Sequence, residues 1–398
     1  MPKGWESIAL GSVFELSNKR LGNYSDEPEI FAISKYEGVV LAHEYFEKRI
    51  ASKSLYGYKL IDSGDWVYST IHIDEGSIAV NHHPFPGVVS PMYTSMSWKS
   101  VDNLSQYFEL LLKSEVALKV YVANAQGTVN RRRSLNWKVF SELKFEVPPL
   151  EEQKRIVDVV SSVDAYIDAL QQQADTARTA RNAVLHELLT AGGDDWTDTT
   201  LGDIAEVVGG GTPSTSKEEF WNGDVVWLTP TEVTAIDGKV ISDSKRKITQ
   251  AGLQSSGARV LPVGTVILTS RASVGFVALA GTELTTNQGF QSLIPTDLVD
   301  GVFLMFWIQM NRSEFESRSA GSTFKEISKS NVKSIAMNLP PLAEQKRIVE
   351  IVSSMDEVIQ STEQAVVDAE ALRSGLLSDL LSGNHEIPTS YDSLLGAA

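Results

Sequence analysis

Pro148-Pro149-Leu150-Glu151-Glu152-Gln153-Lys154-Arg155-Ile156-Val157 occurs a second time, 192 residues on, as Pro340-Pro341-Leu342-Ala343-Glu344-Gln345-Lys346-Arg347-Ile348-Val349. Val-Ser-Ser follows both copies, at 160–162 and 352–354. Fainter echoes lie upstream of each block. Trp5 with Leu10-Gly11 matches Trp196 with Leu201-Gly202, and Gly127-Thr128 resembles Gly321-Ser322. Two copies make a duplicated module and not a solenoid. The chain reads as globule, helix, globule, helix.

The spacing after each block predicts a long helix. Ile156, Val160, Val163, Ile167, Leu170, Ala174, Ala177, Arg181, Val184 and Leu188 step by alternating fours and threes. Ile348, Val352, Met355, Ile359, Thr362, Val366, Ala369, Arg373, Leu376 and Leu380 repeat that register. A sustained 3.5-residue period is a coiled-coil seam. The proline pairs suit a first turn, Glu151, Glu152 and Glu344 suit the positive N-terminal end, and Gly192-Gly193 and Gly383 supply stops. Neither helix can bury its stripe alone. Packing of each on its own globule is one outcome; the duplicated register favours mutual, antiparallel pairing, with Arg181 and Arg373 as polar seam residues that could set register.

The expected domains are 1–147 and 194–339 as globules, 148–193 and 340–383 as helices, and 384–398 as a loose tail. Alternation punctuated by Gly64 and Gly76 (Tyr56 to Val80), and by Gly264 and Gly275 (Val260 to Leu279), makes the globules β-rich. Each adds one amphipathic helix: Leu104 to Tyr121 after a capping Asn103, and Val302 to Phe315. The expected fold class is α+β, with two mixed, β-rich domains separated by two long helices forming an antiparallel coiled coil.

The 398 residues contain no cysteine, which removes disulfides, thiolate zinc sites and cysteine nucleophiles. The longest apolar run, Val302 to Ile308, is far short of the roughly twenty residues of a membrane span, and Met1 to Gly11 carries no secretion signal. A cytoplasmic protein without membrane contact is expected. The net charge of −16 argues at first against binding nucleic acid. Its distribution removes that objection. Residues 151–195 carry 4 basic and 9 acidic side chains, and residues 340–398 carry 3 and 10. The globules are nearly neutral, with 16 basic and 17 acidic groups in 1–150 and 12 and 15 in 196–339.

Catalytic patterns are scarce. His82-His83 and His72-Ile73-Asp74 match no ligand spacing, and no metal or catalytic site is expected. Gly209-Gly210-Gly211-Thr212-Pro213 lacks the Lys-Ser/Thr ending of a phosphate cradle and reads as a turn. Basic and amide residues stand out more. Arg131, Arg132, Arg133 and Lys138 mark the first globule; Lys245, Arg246, Lys247, Ser270, Arg271, Asn287, Gln288 and Lys325 mark the second. Arg can pair bidentately with guanine and Asn or Gln with adenine, while Lys and Ser mostly position phosphates. A solvated surface run is the plain alternative for any one cluster. One cluster on each near-neutral globule favours DNA contact.

The duplicated Pro-Pro-Leu-x-Glu-Gln-Lys-Arg-Ile-Val helix opening, after a globule of about 150 residues each time, resembles the specificity subunits of type I restriction–modification systems. Gly209 to Ser214, Thr269 to Gly275 and Thr286-Asn287-Gln288-Gly289-Phe290 look like segments of that family's target recognition domains. In the first globule Ile71-His72 stands near the expected Ser-Arg, and Asn81-His82-His83 replaces Asn-Gln-Gly.

The resemblance implies a non-catalytic subunit that reads a split, asymmetric site in double-stranded DNA. The helices would fix the gap between half-sites and dock two methylation subunits on their outer faces, with Ile156, Val160, Val163, Ile167, Leu170, Ile348, Val352, Met355, Ile359 and Leu376 as the residues of the docking and coiled-coil helices. S-adenosylmethionine, ATP and Mg would belong to partner chains, with restriction subunits as further partners; this chain would carry no cofactor. Two rivals stand beside this reading: an acidic DNA mimic acting against restriction, and a coiled-coil protein-binding scaffold without a DNA role.

Overall fold

The computed structural model describes residues 4–21, 28–46, 54–125, 134–321 and 325–395. The chain divides into two units, one of Met1–Leu170 with Ala365–Ala398, the other of Gln171–Gln364. Both long helices are continuous, Leu150–Thr190 and Leu342–Ser382, each of 41 residues or about 60 Å at 1.5 Å per residue. Each unit therefore contains the N-terminal half of one helix and the C-terminal half of the other. Among the described residues no helix is long and apolar enough to cross a membrane.

The first unit holds β1 (Glu6–Ala9), β2 (Phe14–Leu16), β3 (Glu29–Ser34), β4 (Gly38–Leu41), β5 (Lys59–Ile61), β6 (Trp66–Ser69), β7 (Ile78–Val80), β8 (Gly87–Val89), β9 (Tyr93–Trp98) and β10 (Lys144–Val147). The second holds β11 (Thr197–Thr200), β12 (Ala205–Gly209), β13 (Trp221–Leu228), β14 (Val240–Ile241), β15 (Lys247–Ile248), β16 (Val266–Leu268), β17 (Val277–Ala280), β18 (Thr285–Thr286), β19 (Gln291–Pro295) and β20 (Ala336–Leu339). The topologies match. An antiparallel β1–β10 ribbon closes the first globule and β11–β20 closes the second. The sheet β2-β9-β6-β7 corresponds to β12-β19-β16-β17, to which the second unit adds β14. In the other sheet, β3 pairs with antiparallel β4 and parallel β8, as β13 pairs with β15 and β18.

Two expectations about helices need correction. Leu104 to Tyr121 is two helices, Ser105–Lys113 and Glu115–Asn124. Ser114 sits in extended backbone between them, and its hydroxyl accepts from Ala117 N at 3.3 Å, so it caps the second helix and ends the first. The counterpart also breaks, at Asn311 between Gly301–Met310 and Arg312–Ser317, but without a side-chain cap: Asn311 Nδ2 donates back to Trp307 O at 2.8 Å. Asn103 is not a helix cap. Leu104 N donates instead to Gln153 Oε1 at 2.8 Å, while Gln153 Nε2 donates to Asn103 Oδ1 and Pro148 O, both at 2.9 Å.

That arrangement explains the duplicated motif. Gln345 repeats it, accepting from Asp300 N at 2.8 Å and donating to Leu298 O at 3.0 Å and Pro340 O at 2.8 Å. Both amides are essentially inaccessible, at 1% and 0%. Burial without partners would be costly, so each glutamine pins a long helix to the turn that opens its globule's own helix.

Helix pairing is antiparallel within each unit. In the first, Ile167, Leu170 and Ala369 form a small apolar cluster with Val163, Ala365 and Val366. Further along, Ile156 and Val160 meet Leu376 and Leu380 and merge into the main globular core. In the second, Leu185, Leu188 and Leu189 share the core with Ile348 and Val352. The stripe thus serves both a seam and a globule. The seam arginines are paired: Arg181 Nε and Nη2 donate to Asp356 at 2.9 and 3.1 Å, and Arg373 makes the equivalent bidentate bond to Asp164. Asp164 and Asp356 are themselves 192 residues apart.

Residues 384–395 are not loose. Ile387 is buried in the first unit's core, Arg155 Nη1 donates to both carboxylate oxygens of Asp392 at 3.1 and 3.0 Å, and Tyr391 donates to Asp158 Oδ2 at 2.7 Å. The weak apolar period there hid a segment anchored by an ion pair, a tyrosine hydrogen bond and one isoleucine.

Candidate nucleic-acid interface

The glycine run after β12 lies against the turn that follows β18. Gly211 N donates to Thr286 O at 2.9 Å. A Cβ on Gly210 would collide with Asn287 O, and one on Gly211 with Ala258 N, so glycine is required for this approach. The loop carbonyls accept two indole N–H groups. Trp227 Nε1 donates to Gly211 O at 2.9 Å and Trp221 Nε1 to Ser214 O at 3.2 Å. The two rings meet edge-on, 5.0 Å apart at 83°. The guanidinium of Arg246 lies over them, 3.8 Å from the centroid of Trp221 and 5.7 Å from that of Trp227. The run is a mount for a tryptophan pair.

Its neighbours hold the basic turn in place. Lys245 N donates to Glu232 Oε1 at 2.7 Å. Ser244 Oγ donates to Arg246 O at 2.7 Å and accepts from Trp227 N at 3.0 Å. Lys245 and Arg246 are exposed. Lys247 is half-buried and pairs with Asp243 at 3.0 Å, a bond that holds the Asp243 carboxyl below the usual carboxylate range.

A second group of predicted residues converges beside the same glycine run. Ser270 N donates to Gly289 O at 2.7 Å, and Ala272 N donates to Lys325 O at 3.0 Å. Asn287 Oδ1 accepts from Gly289 N at 2.7 Å, and Gln288 Oε1 accepts from Thr212 Oγ1. The structure therefore brings Ser270, Arg271, Asn287, Gln288 and Lys325 together. Two differ from expectation. Ser270 is fully buried, because its backbone N–H and C=O serve Gly289 and Ile327. Arg271 is exposed but tied to Glu326 at 2.8 Å, which takes up its charge.

The first unit offers less. Arg131, Arg132 and Arg133 lie outside the described residues. Lys138 is exposed on Trp137–Glu142, a helix capped by Asn136. Asn81-His82-His83 does not take the place of Asn287-Gln288-Gly289. It follows β7, whereas the connection matching that after β18 is Ser90-Pro91-Met92, between β8 and β9. Asn81 is fully buried, donating to Asp62 O at 3.1 Å and Phe85 O at 3.4 Å. His83 stacks on Phe31 at 4.8 Å. Beside it opens a cavity of about 310 Å³ lined in part by Glu37, His82, Glu109 and Lys113. Burial draws the Lys113 ammonium below its ordinary range. Thr70-Ile71 follow β6 as Ser270-Arg271 follow β16, so an isoleucine stands where the second unit has an arginine.

On the helices, Ile156, Val160, Ile167, Leu170, Ile348, Val352 and Ile359 are buried, while Val163, Met355 and Leu376 are half-buried. Sequence reasoning missed the Trp221–Trp227 pair, the two glutamines and the Asp164 and Asp356 partners. The last four carried a signal, since each recurs at the 192-residue offset.

Comparisons with known proteins agree with this duplication. Residues 2–177 and 193–368 each match the type I restriction modification DNA specificity domain. The MjaIX specificity subunit of Methanocaldococcus jannaschii, a type I restriction enzyme component, is 39% identical over 169 residues, covering 42% of this chain and 39% of that protein. A second protein of that organism, the putative type I restriction enzyme MjaX specificity subunit, is 23% identical over 431 residues, 98% of this chain and 95% of the other. A chain in a solved structure concerned with assembly and conformational transition of the type I R-M system superposes with a TM-score of 0.64. It has 18% identity and covers 96% of this chain and 98% of that one, a likeness of fold. With both halves matched by the same domain, the chain belongs to the type I restriction–modification DNA specificity family and carries two recognition domains.

Proposed function

We propose that the two domains read the two halves of a split, asymmetric duplex site from the major groove. The paired helices set the gap between the halves and offer near-equivalent docking faces to two methylation subunits. Those subunits would bind S-adenosylmethionine and methylate adenine at N6. Restriction subunits, where they join, would supply ATP- and Mg-dependent translocation and cleavage. This chain recognises and positions; it performs no bond chemistry itself.

The observation that carries this reading is one β-rich topology built twice, each copy pinned to a long helix by the same buried glutamine. Acidic helices beside near-neutral globules agree with it, because negative rods repel phosphates and leave DNA to the heads. The basic turn and amide turn of the second unit supply both phosphate-binding and base-reading chemistry. Methylation-sensitive sequencing of the host genome tests the proposal. The expected result is a two-part adenine-methylated motif that disappears when this gene is deleted. No such motif, or one that survives deletion, overturns it.

A further inference from the structure

Seven of the eight arginines in Gln171–Gln364 lie against a carboxylate. Among the described residues of that unit, Arg246 alone does not, and it is exposed. Its guanidinium rests on Trp221, a buried ring whose own N–H is fixed to Ser214 O. A bulge in β13 between Trp221 and Val225, with Asn222 at φ 60°, shapes the strand beneath it. The Lys245–Arg246 backbone is held from both sides by Glu232 and Ser244.

Each feature bears on what this group can do. A charge meant only for phosphate needs no fixed plane, and a flexible lysine such as Lys245 serves it. A guanidinium stacked on a ring keeps its in-plane N–H donors free while its rotation is restricted. Two parallel donors in a fixed plane match the O6 and N7 acceptors of guanine in the major groove. We propose that Arg246 is a specificity-determining residue that reads one guanine in the half-site bound by the second domain, with the Trp221–Trp227 pair as its mount.

The inference rests on the proposed DNA-reading function, and one experiment separates the two. Motifs are determined by methylome sequencing in cells carrying the intact system with the wild-type chain, Arg246→Lys or Arg246→Gln. Thermal unfolding of each purified complex is measured in parallel. Absence of a split motif with the wild-type chain defeats the underlying reading. Given a motif, both variants should relax it at one G·C position in one half, with discrimination there falling about 10- to 100-fold and the other half unchanged. An even loss of methylation across all positions would make Arg246 a phosphate contact and overturn the proposal. An unchanged motif, or loss that tracks a lowered unfolding temperature, would make it a structural cover for the tryptophans and overturn it equally.

Discussion

The two helix starts share Glu-Gln-Lys-Arg, yet their charges are wired differently. In the second unit Glu344 is held by Arg347 at 2.9 Å, and that bond keeps its carboxyl below the usual range. In the first, Arg155 turns to Asp392 instead. Glu152 is left buried with Glu386 nearby, and burial first, then that like charge, raises its carboxyl above the usual range. Glu386 and Asp392 both belong to the C-terminal segment. Equal sequence at the two sites therefore yields opposite electrostatics, because one has an acidic strap laid over it. The glutamine between them is indifferent to the strap: in both copies it accepts from one backbone N–H, of Leu104 or Asp300, and donates to the carbonyl of the preceding proline, Pro148 or Pro340.

That contrast can be broken most decisively at the glutamines. Gln153→Ala and Gln345→Ala each leave a half-buried backbone N–H and two carbonyl oxygens without their partner, and each should cost about 3 kcal/mol. Denaturant unfolding followed by tryptophan fluorescence would read both. Costs differing by more than about 1 kcal/mol would show that the two starts are not equivalent.

A smaller difference is expected along the seam. Arg181 has only 11% of its side chain exposed and lies 4.9 Å from the Phe306 ring, whereas Arg373 is 31% exposed. Removing the carboxylate strands a more deeply buried charge in the second unit. Asp356→Ala should cost about 2 kcal/mol and Asp164→Ala about 1 kcal/mol in the same unfolding assay. Equal losses would mean that burial does not distinguish the pairs.

The smallest effect is a matter of sign. For Glu152 the folded carboxyl holds its proton more tightly than the unfolded one, so its contribution is full at low pH and is lost as pH rises through the folded value. For Glu344 the contribution is present above the unfolded value and is lost as pH falls through the folded one. Glu152→Gln should therefore stabilise slightly at neutral pH, and Glu344→Gln should not. Unfolding midpoints taken between pH 4 and pH 8 would check both signs.

The long helices were legible because their signals are local and repeated: a 3.5-residue stripe, prolines before it, glycine after it. The left-handed Gly192 (φ 67°) and Gly383 (φ 69°) stand where the stops were read. The match between sheets was less legible, since β3 and β8, or β13 and β18, pair across long stretches of chain. Position along the chain then misled. Asn81 echoes Asn287 in letters but sits after a different strand. The tryptophan mount was invisible for a similar reason: Gly211, Trp227 and Arg246 are joined by one indole bond and one stacking contact across 36 residues. Ser114 shows the opposite failure, a local cap concealed inside a convincing amphipathic stripe.

The first unit takes Ala365–Ala398 as part of itself. During synthesis its sheets leave the ribosome early, but Leu380, Leu381 and Ile387, which complete its core, arrive only after the whole second unit has been made. The N-terminal unit lacks those three core residues until then. A chain cut short before Leu380 would lose the integrity of the head made first, and a protease removing residues 384–395 would act on the same place.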